Sequence, residues 1–146
     1  MGVDVLTETI IERPRAEVSA YAADPDNAPR WYENIMSVEW KTPRSVSAGS
    51  RVAFVARFLG RELQYTYEIL EHVPGKRLVM RTAQGPFPME TTYTWDDHGP
   101  DATRMTLRNR GMPAGFSMLF APFMSMAVRR ANRKDLSRLK REMEAV

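Results

Sequence analysis

The two histidines of this 146-residue chain are the first side chains to consider for acid–base chemistry. His72 follows an alternating segment and His98 lies in the turn DDHGPD, and neither has a Cys, a His or a paired acid at metal-ligand spacing. We therefore predict no metal site and no cofactor, and the sequence has no phosphate-binding glycine loop or nucleophile elbow. His98 is expected to be solvated. His72 is typical of a surface residue, although it stays a candidate general base.

Hydrogen-bond donors for a developing oxyanion are available on Tyr65, Tyr67 and Tyr93. Asn132 lies within a stripe of apolar residues at helical spacing, where a buried amide must find a partner. That partner is either a ligand, or a backbone carbonyl or water. The sequence leaves both interpretations open.

Alternating apolar and polar residues between about 51 and 111 predict a series of half-buried strands. The turns between them are marked by Gly60 and by the segments VPGK, QGPFP and DDHGPDA, so an antiparallel meander is expected. A register slip of one residue would instead turn Glu90 and Arg81 inward. The faces predicted to point inward are Val52, Phe54, Ala56 and Phe58, then Leu63, Tyr65, Tyr67 and Ile69, then Met89, Thr91, Tyr93 and Trp95, and finally Met105 and Leu107.

Helical patterns mark both ends of the chain. After a first strand, VDVLTETIIE, the segment RPRAEVSAYAAD predicts a short helix, and a second short turn is expected to end near Trp31. VEWKT predicts one more strand. The C-terminal segment predicts a long helix with its apolar stripe on Val128, Asn132, Leu136, Leu139 and Met143. A curved antiparallel sheet wrapped around that helix satisfies this order, and it leaves a space between the two.

Residues 111–128, GMPAGFSMLFAPFMSMAV, carry no charge in a chain with 27% charged residues. Prolines and glycines interrupt the segment, and it is at the lower edge of the length of a membrane span, so we expect no transmembrane helix. It is expected either to close the core or to act as a lid that makes transient contact with a membrane surface through 112–126.

The tail from residue 129 has seven Lys or Arg against three Asp or Glu. Its charges surround the helix outside the apolar stripe, and Asp135 and Glu142 are counted among them. No aromatic residue follows Phe123 to stack on bases, so a solvated helix face is expected rather than a nucleic-acid interface. The chain contains no cysteine and no signal peptide is visible, from which we predict a cytoplasmic protein.

Three segments resemble the START-like, or SRPBCC, superfamily. They are IIERPRAEVSAYAADPDNAPRWYENI, VPGKRLVMRTAQGPFPMETTYTWDDHGPDATRMTL and RRANRKDLSRLKREME, and the second is similar to the polyketide cyclase/dehydrase branch. The resemblance implies a single α+β domain over 1–146 with the helix-grip fold. Its expected parts are a curved antiparallel sheet of about six to seven strands around a long C-terminal helix, with two short helices after the first strand and a hydrophobic cavity between sheet and helix.

We therefore predict a protein that binds a small hydrophobic or aromatic molecule, lipid-like or polyketide-like. The alternatives are a cofactor-free cyclase, aromatase or dehydratase using a tyrosine or His72, and a protein-interaction role with the lid as contact surface. A monomer or weak dimer is expected. The predicted ligand-binding residues are Trp31, Phe54, Phe58, Tyr65, Tyr67, Tyr93, Met105, Phe116, Phe120 and Asn132.

Overall fold

A computed structural model of the chain describes residues 3–58, 60–84, 88–111 and 121–145, without the side chains of 58, 121 and 122. It has seven strands and three α-helices in these residues. The strands are β1 Val3–Ile11, β2 Ile35–Trp40, β3 Arg51–Phe58, β4 Arg61–Val73, β5 Arg77–Gln84, β6 Met89–Asp97 and β7 Thr103–Gly111. The helices are α1 Arg15–Ala23, α2 Ala28–Trp31 and α3 Ala121–Glu144, with a 3-10 turn at Pro25–Asn27. The predicted helix-grip architecture is confirmed.

The strands form one antiparallel sheet in the order β1-β7-β6-β5-β4-β3-β2. Bulges interrupt the pairing of β4 with β5 and of β2 with β3, and such irregularities increase the bend of a sheet. The alternation of side chains puts the positions predicted to point inward on the inner face, apart from Phe58, whose side chain lies outside the described residues. The opposite register is not adopted, because Arg81 is exposed and the Glu90 carboxylate pairs with the Arg110 guanidinium at 3.0 Å on the outer face.

Tight turns join the central strands. Gly60 connects β3 to β4 with φ of 77°, a backbone conformation that L side chains rarely adopt. This confirms the role predicted for that glycine. The turn also fixes the pairing of β3 with β4, in which Phe54 lies opposite Tyr65 and Val52 lies opposite Tyr67.

The long helix α3 lies across the inner face and packs chiefly against β1. Its predicted apolar stripe is confirmed, since Val128, Leu136 and Leu139 are buried and Met143 packs against the same core. Among the described residues, none of the helices has the length and apolar character needed to cross a membrane.

One residue of α3 differs from the sequence interpretation. The charge pattern predicts Asp135 on the solvated face with the other charges, but Asp135 is buried. At about 100° per residue it falls only about 20° from Val128, at the edge of the apolar stripe. Its backbone position therefore points it inward, and its charge does not change that direction.

Candidate functional site

A cavity of about 170 Å³ lies between the inner face of the sheet, α3 and the α1–α2 segment. Most of its walls are apolar or aromatic. The sheet contributes Val52, Phe54, Ala56, Tyr65, Tyr67, Ile69, Leu78, Met80, Met89, Thr91, Tyr93 and Asn109, and α3 contributes Val128, Ala131, Asn132 and Asp135. The α1–α2 segment and the chain after it contribute Ala22, Ala23, Asp24, Pro25, Ala28, Tyr32, Asn34 and Ile35.

The structure brings together five of the residues predicted to bind the ligand, namely Phe54, Tyr65, Tyr67, Tyr93 and Asn132. The rings of Phe54 and Tyr67 meet edge to face with centroids 5.7 Å apart, and Tyr65 and Tyr67 are neighbours on β4 at 6.0 Å. Alternation along β3 and β4 accounts for this grouping, because each strand directs every second side chain inward.

Two predicted wall residues do not line the cavity. Trp31 is fully buried behind it, with its ring 4.2 Å from that of Tyr32 and 5.7 Å from that of Tyr93. Met105 is fully buried on β7, in the same core cluster as Leu139. Both point inward as predicted, but they pack in the hydrophobic core and do not line the cavity. The predictions for Phe116, Phe120 and the Phe58 side chain lie outside the described residues.

A pair of tyrosine hydroxyls supplies the first polar group of the cavity. Tyr32 and Tyr93 share a hydrogen bond between their hydroxyl oxygens at 2.5 Å. Burial raises the pKa of both phenols, so both stay protonated at neutral pH. Two O–H groups share one hydrogen bond, which leaves one proton of the pair available for a further acceptor.

Asp135 is the second polar group, and its carboxyl side chain is 2% exposed. Its Oδ1 accepts a hydrogen bond from the Glu33 backbone N–H at 3.0 Å, while its other oxygen has no hydrogen-bond partner in the described part of the chain. Burial raises the pKa of this carboxyl to about 7, and nearby Arg138 and Lys134 offset only part of that effect. Asp135 is thus a buried acid that titrates near neutral pH.

Asn132 is the third polar group and lies one helical turn before Asp135. Its side chain is 4% exposed, and its Nδ2 has no hydrogen-bond partner among the described residues. No backbone carbonyl or side chain of those residues accepts from this amide. A buried donor without a partner costs about 1–3 kcal/mol relative to one that is satisfied.

The cavity contains no basic side chain in its described lining, which has no Lys, Arg or His. The candidate base His72 lies elsewhere, in an outer groove beside α1, where its Nδ1 is 2.9 Å from the Val46 carbonyl oxygen. The interpretation of His72 as a base acting in the cavity is therefore not supported. His72 does not line the cavity, although Leu78, which lies opposite it on β5, does.

The sequence model for polyketide cyclase / dehydrase and lipid transport proteins matches residues 3–144. The chain belongs to this family. Comparison with curated proteins returns no match.

Solved structures of the same fold come from several bacteria. A protein of Thermus thermophilus is 20% identical with a TM-score of 0.84, covering 97% of each chain. A START superfamily protein from Mycobacterium smegmatis is 12% identical at the same TM-score of 0.84, again covering 97% of each chain. The Zhui aromatase/cyclase from a Streptomyces species is 14% identical with a TM-score of 0.84, covering 99% of this chain and 94% of its own. At these identities the likeness shows the fold.

Within this family fold, sequence reasoning missed Tyr32 and Asp135 as cavity residues. Tyr32 follows α2 in a segment without periodicity, so no local pattern indicates which way its ring points. The signal for Asp135 was its place on the helical wheel, beside the apolar stripe. Thr91 and Asn109 form another polar contact in the lining, where the threonine hydroxyl donates to the Asn109 Oδ1 at 2.7 Å.

Proposed function

We propose that the protein binds a small hydrophobic or aromatic molecule in the cavity between the sheet and α3. The family match and the structural neighbours support hydrophobic ligand binding or a cyclase-like role. The observation that carries the proposal is the cavity of about 170 Å³, with largely apolar walls and an Asn132 amide that has no hydrogen-bond partner in the described part of the chain. Its volume is close to that of an engineered cavity of about 150 Å³ that binds benzene. The space therefore fits a molecule built on a single ring.

The test is native mass spectrometry of gently purified protein, before and after extraction with organic solvent. A discrete adduct that disappears on extraction supports a bound ligand. Filling the cavity by Ala56→Phe should abolish the adduct, because Ala56 lies in the cavity wall. The matched control is Ala53→Phe, three positions earlier on β3 and on its outer face, which should retain the adduct. An adduct that survives in both variants would place its site outside the cavity.

A second candidate function is cofactor-free enol chemistry, and the observation that favours it is the buried Asp135 carboxyl. Its pKa of about 7 suits a general base at neutral pH. In such a step the ionised carboxylate takes a proton from the carbon beside a ketone, and the C–H electron pair forms the enolate. The negative charge develops on the ketone oxygen, where the Asn132 Nδ2 donates a hydrogen bond. Residues three apart on a helix share a face, which places base and donor together.

Deuterium exchange tests this candidate without knowledge of the natural substrate. The α-protons of acetophenone in D₂O should exchange faster with the protein, and NMR measures the rate. The rate should rise with pH through about 7, because only the ionised carboxylate accepts a proton. Asp135→Asn should remove this exchange, whereas the exposed control Asp101→Asn should keep it. Equal exchange by both variants would refute a role of Asp135 as the base.

Contact with a membrane surface is a further part of the proposal. Phe123 and Met126 are 67% and 68% exposed at the start of α3, and Arg129 and Arg130 follow them. Apolar side chains beside basic ones suit an anionic lipid surface. Binding to vesicles containing phosphatidylserine should fall in Phe123→Asp and persist in the exposed control Leu6→Asp on β1. Equal binding of the two variants would contradict this contact.

The monomer or weak dimer and the cytoplasmic location stay predictions. A concentration series by analytical ultracentrifugation measures the first. A sedimentation coefficient that does not change over the series would favour the monomer.

A further inference from the structure

The polar groups on the α3 wall of the cavity constrain the functional groups of the ligand. Asn132 and Asp135 are three positions apart on α3, which corresponds to a rise of about 4.5 Å along the helix. Both side chains are more than nine-tenths buried and line the cavity. The Asn132 Nδ2, which has no partner among the described residues, can only donate a hydrogen bond, and the second oxygen of an ionised Asp135 can only accept one. This wall therefore matches a ligand with one acceptor and one donor at a similar separation.

The charges around the cavity restrict the ligand further. The described lining has one acidic residue on α3 and one after α1, Asp135 and Asp24, and no Lys, Arg or His. A ligand carboxylate would enter a largely apolar space whose described lining offers no cation to pair with, and it would be repelled by an ionised Asp135. A neutral ligand meets neither cost. Free fatty acids and aromatic acids are thus poor candidates.

The rest of the lining sets the size and the body of the ligand. Aromatic side chains on β3 and β4, among them Phe54, Tyr65 and Tyr67, face the α3 wall across the gap. A flat apolar ring suits aromatic walls, because offset and edge-to-face contacts between rings are favourable.

We propose that the cavity selects a neutral single-ring molecule that donates a hydroxyl to Asp135 and accepts from Asn132 through a carbonyl, and that it rejects the corresponding carboxylate. This inference rests on the proposed function, since it specifies the ligand of the same cavity. It assigns Asp135 and Asn132 as the residues that determine specificity.

Five single-ring probes separate the contributions of the hydroxyl, the carbonyl and a carboxylate to the binding affinity. 3-Hydroxyacetophenone carries both groups, 3-ethylphenol lacks the carbonyl, 3-methylacetophenone lacks the hydroxyl, and 3-ethyltoluene lacks both. 3-Hydroxybenzoate replaces the ketone by a carboxylate. Calorimetric titration at pH 7.5 compares their affinities for the wild-type protein. Loss of either polar group should weaken binding about tenfold, as expected for one buried hydrogen bond, and the carboxylate should bind at least about tenfold more weakly than the ketone.

Two variants connect each group to its residue. Asp135→Asn should reduce the advantage of the hydroxyl to less than about threefold and leave that of the carbonyl, since it removes the charged acceptor while preserving side-chain size. Asn132→Leu should reduce the advantage of the carbonyl to less than about threefold and leave that of the hydroxyl. The exposed Asp101→Asn is the control and should change neither ratio.

The outcomes distinguish this inference from the proposed function. Equal affinities of the four neutral probes for the wild-type protein would overturn the inference, while binding in the cavity would stand. Carboxylate binding as tight as ketone binding would overturn the selection for neutral ligands. If 3-ethyltoluene and all the other probes fail to bind, the proposed function and the inference fail together. The wild-type comparisons decide these points even if one variant does not fold.

Discussion

Replacing Asp135 by Asn is expected to stabilise the protein, and the effect should depend on pH. Burial raises the pKa of this carboxyl from 3.8 to about 7 in the folded protein. Because the folded state holds the proton more tightly than the unfolded state, ionisation opposes folding, and stability is lost as pH rises from about 4 to about 7. The uncharged Asn does not titrate and keeps an oxygen to accept from the Glu33 N–H. The two proteins should therefore differ little at pH 4.

The size of the effect follows from the shift. A pKa difference of about three units at about 1.4 kcal/mol per unit gives about 4 kcal/mol above pH 7, as an upper figure because water entering the cavity would reduce it. Urea unfolding followed by tryptophan fluorescence measures it at pH 4.5, 6, 7.5 and 9. The control is Asp4→Asn, because the Arg108 guanidinium lowers the pKa of Asp4 and the sign is reversed. A stability difference for Asp135→Asn that does not change between pH 4.5 and 9 would refute the assignment of a raised pKa.

Three other variants test the fold. Leu139→Ala should lower the free energy of unfolding by about 2–5 kcal/mol, because the Leu139 side chain of α3 is fully buried against the core. Thermal denaturation measures the loss. A loss below about 1 kcal/mol would contradict tight packing at this position. Tyr93→Phe should lower the free energy of unfolding by about 1–2 kcal/mol in urea, because it leaves the buried Tyr32 hydroxyl without its partner. The double variant Tyr32→Phe/Tyr93→Phe should lose less than the sum of the two single losses. Gly60→Ala should cost about 1 kcal/mol through its positive φ alone, because no atom of the described residues beyond its chain neighbours lies within 4 Å of the added carbon. A cost of several kcal/mol would indicate a different turn.

The strands and their faces could be predicted because one buried face imposes a period of two. Phe54 and Tyr67 show how far this reasoning reaches, since both were assigned inward and both line the cavity. The same pattern could not separate cavity from core. Met105 also points inward, but it lies on β7, next to the strand that α3 covers. Which inward residues line the cavity depends on where α3 crosses the sheet. The sequence of a strand does not determine that position.

Asp135 shows a different limit of sequence reasoning. Charged side chains are rarely buried without a partner, so assigning it to solvent followed the general rule. The group that makes its burial tolerable is the backbone N–H of Glu33, 102 positions earlier in the chain. Only the tertiary structure brings that donor to α3. The wheel position alone indicated an inward direction, and this geometric signal was the better guide.

The stability cost of the α3 wall is itself an argument for function. The Asn132 amide, which finds no partner among the residues that the structure describes, and the buried Asp135 acid both oppose folding. Apolar side chains of similar size would pack the same space at lower cost. Local departures of this kind occur where a protein needs a group for binding or catalysis. The argument requires both effects in one variant: Asp135→Asn should gain stability above pH 7 and lose affinity for the hydroxylated probe. A variant that gains stability and binds every probe as the wild type does would leave the carboxyl without a role in the cavity.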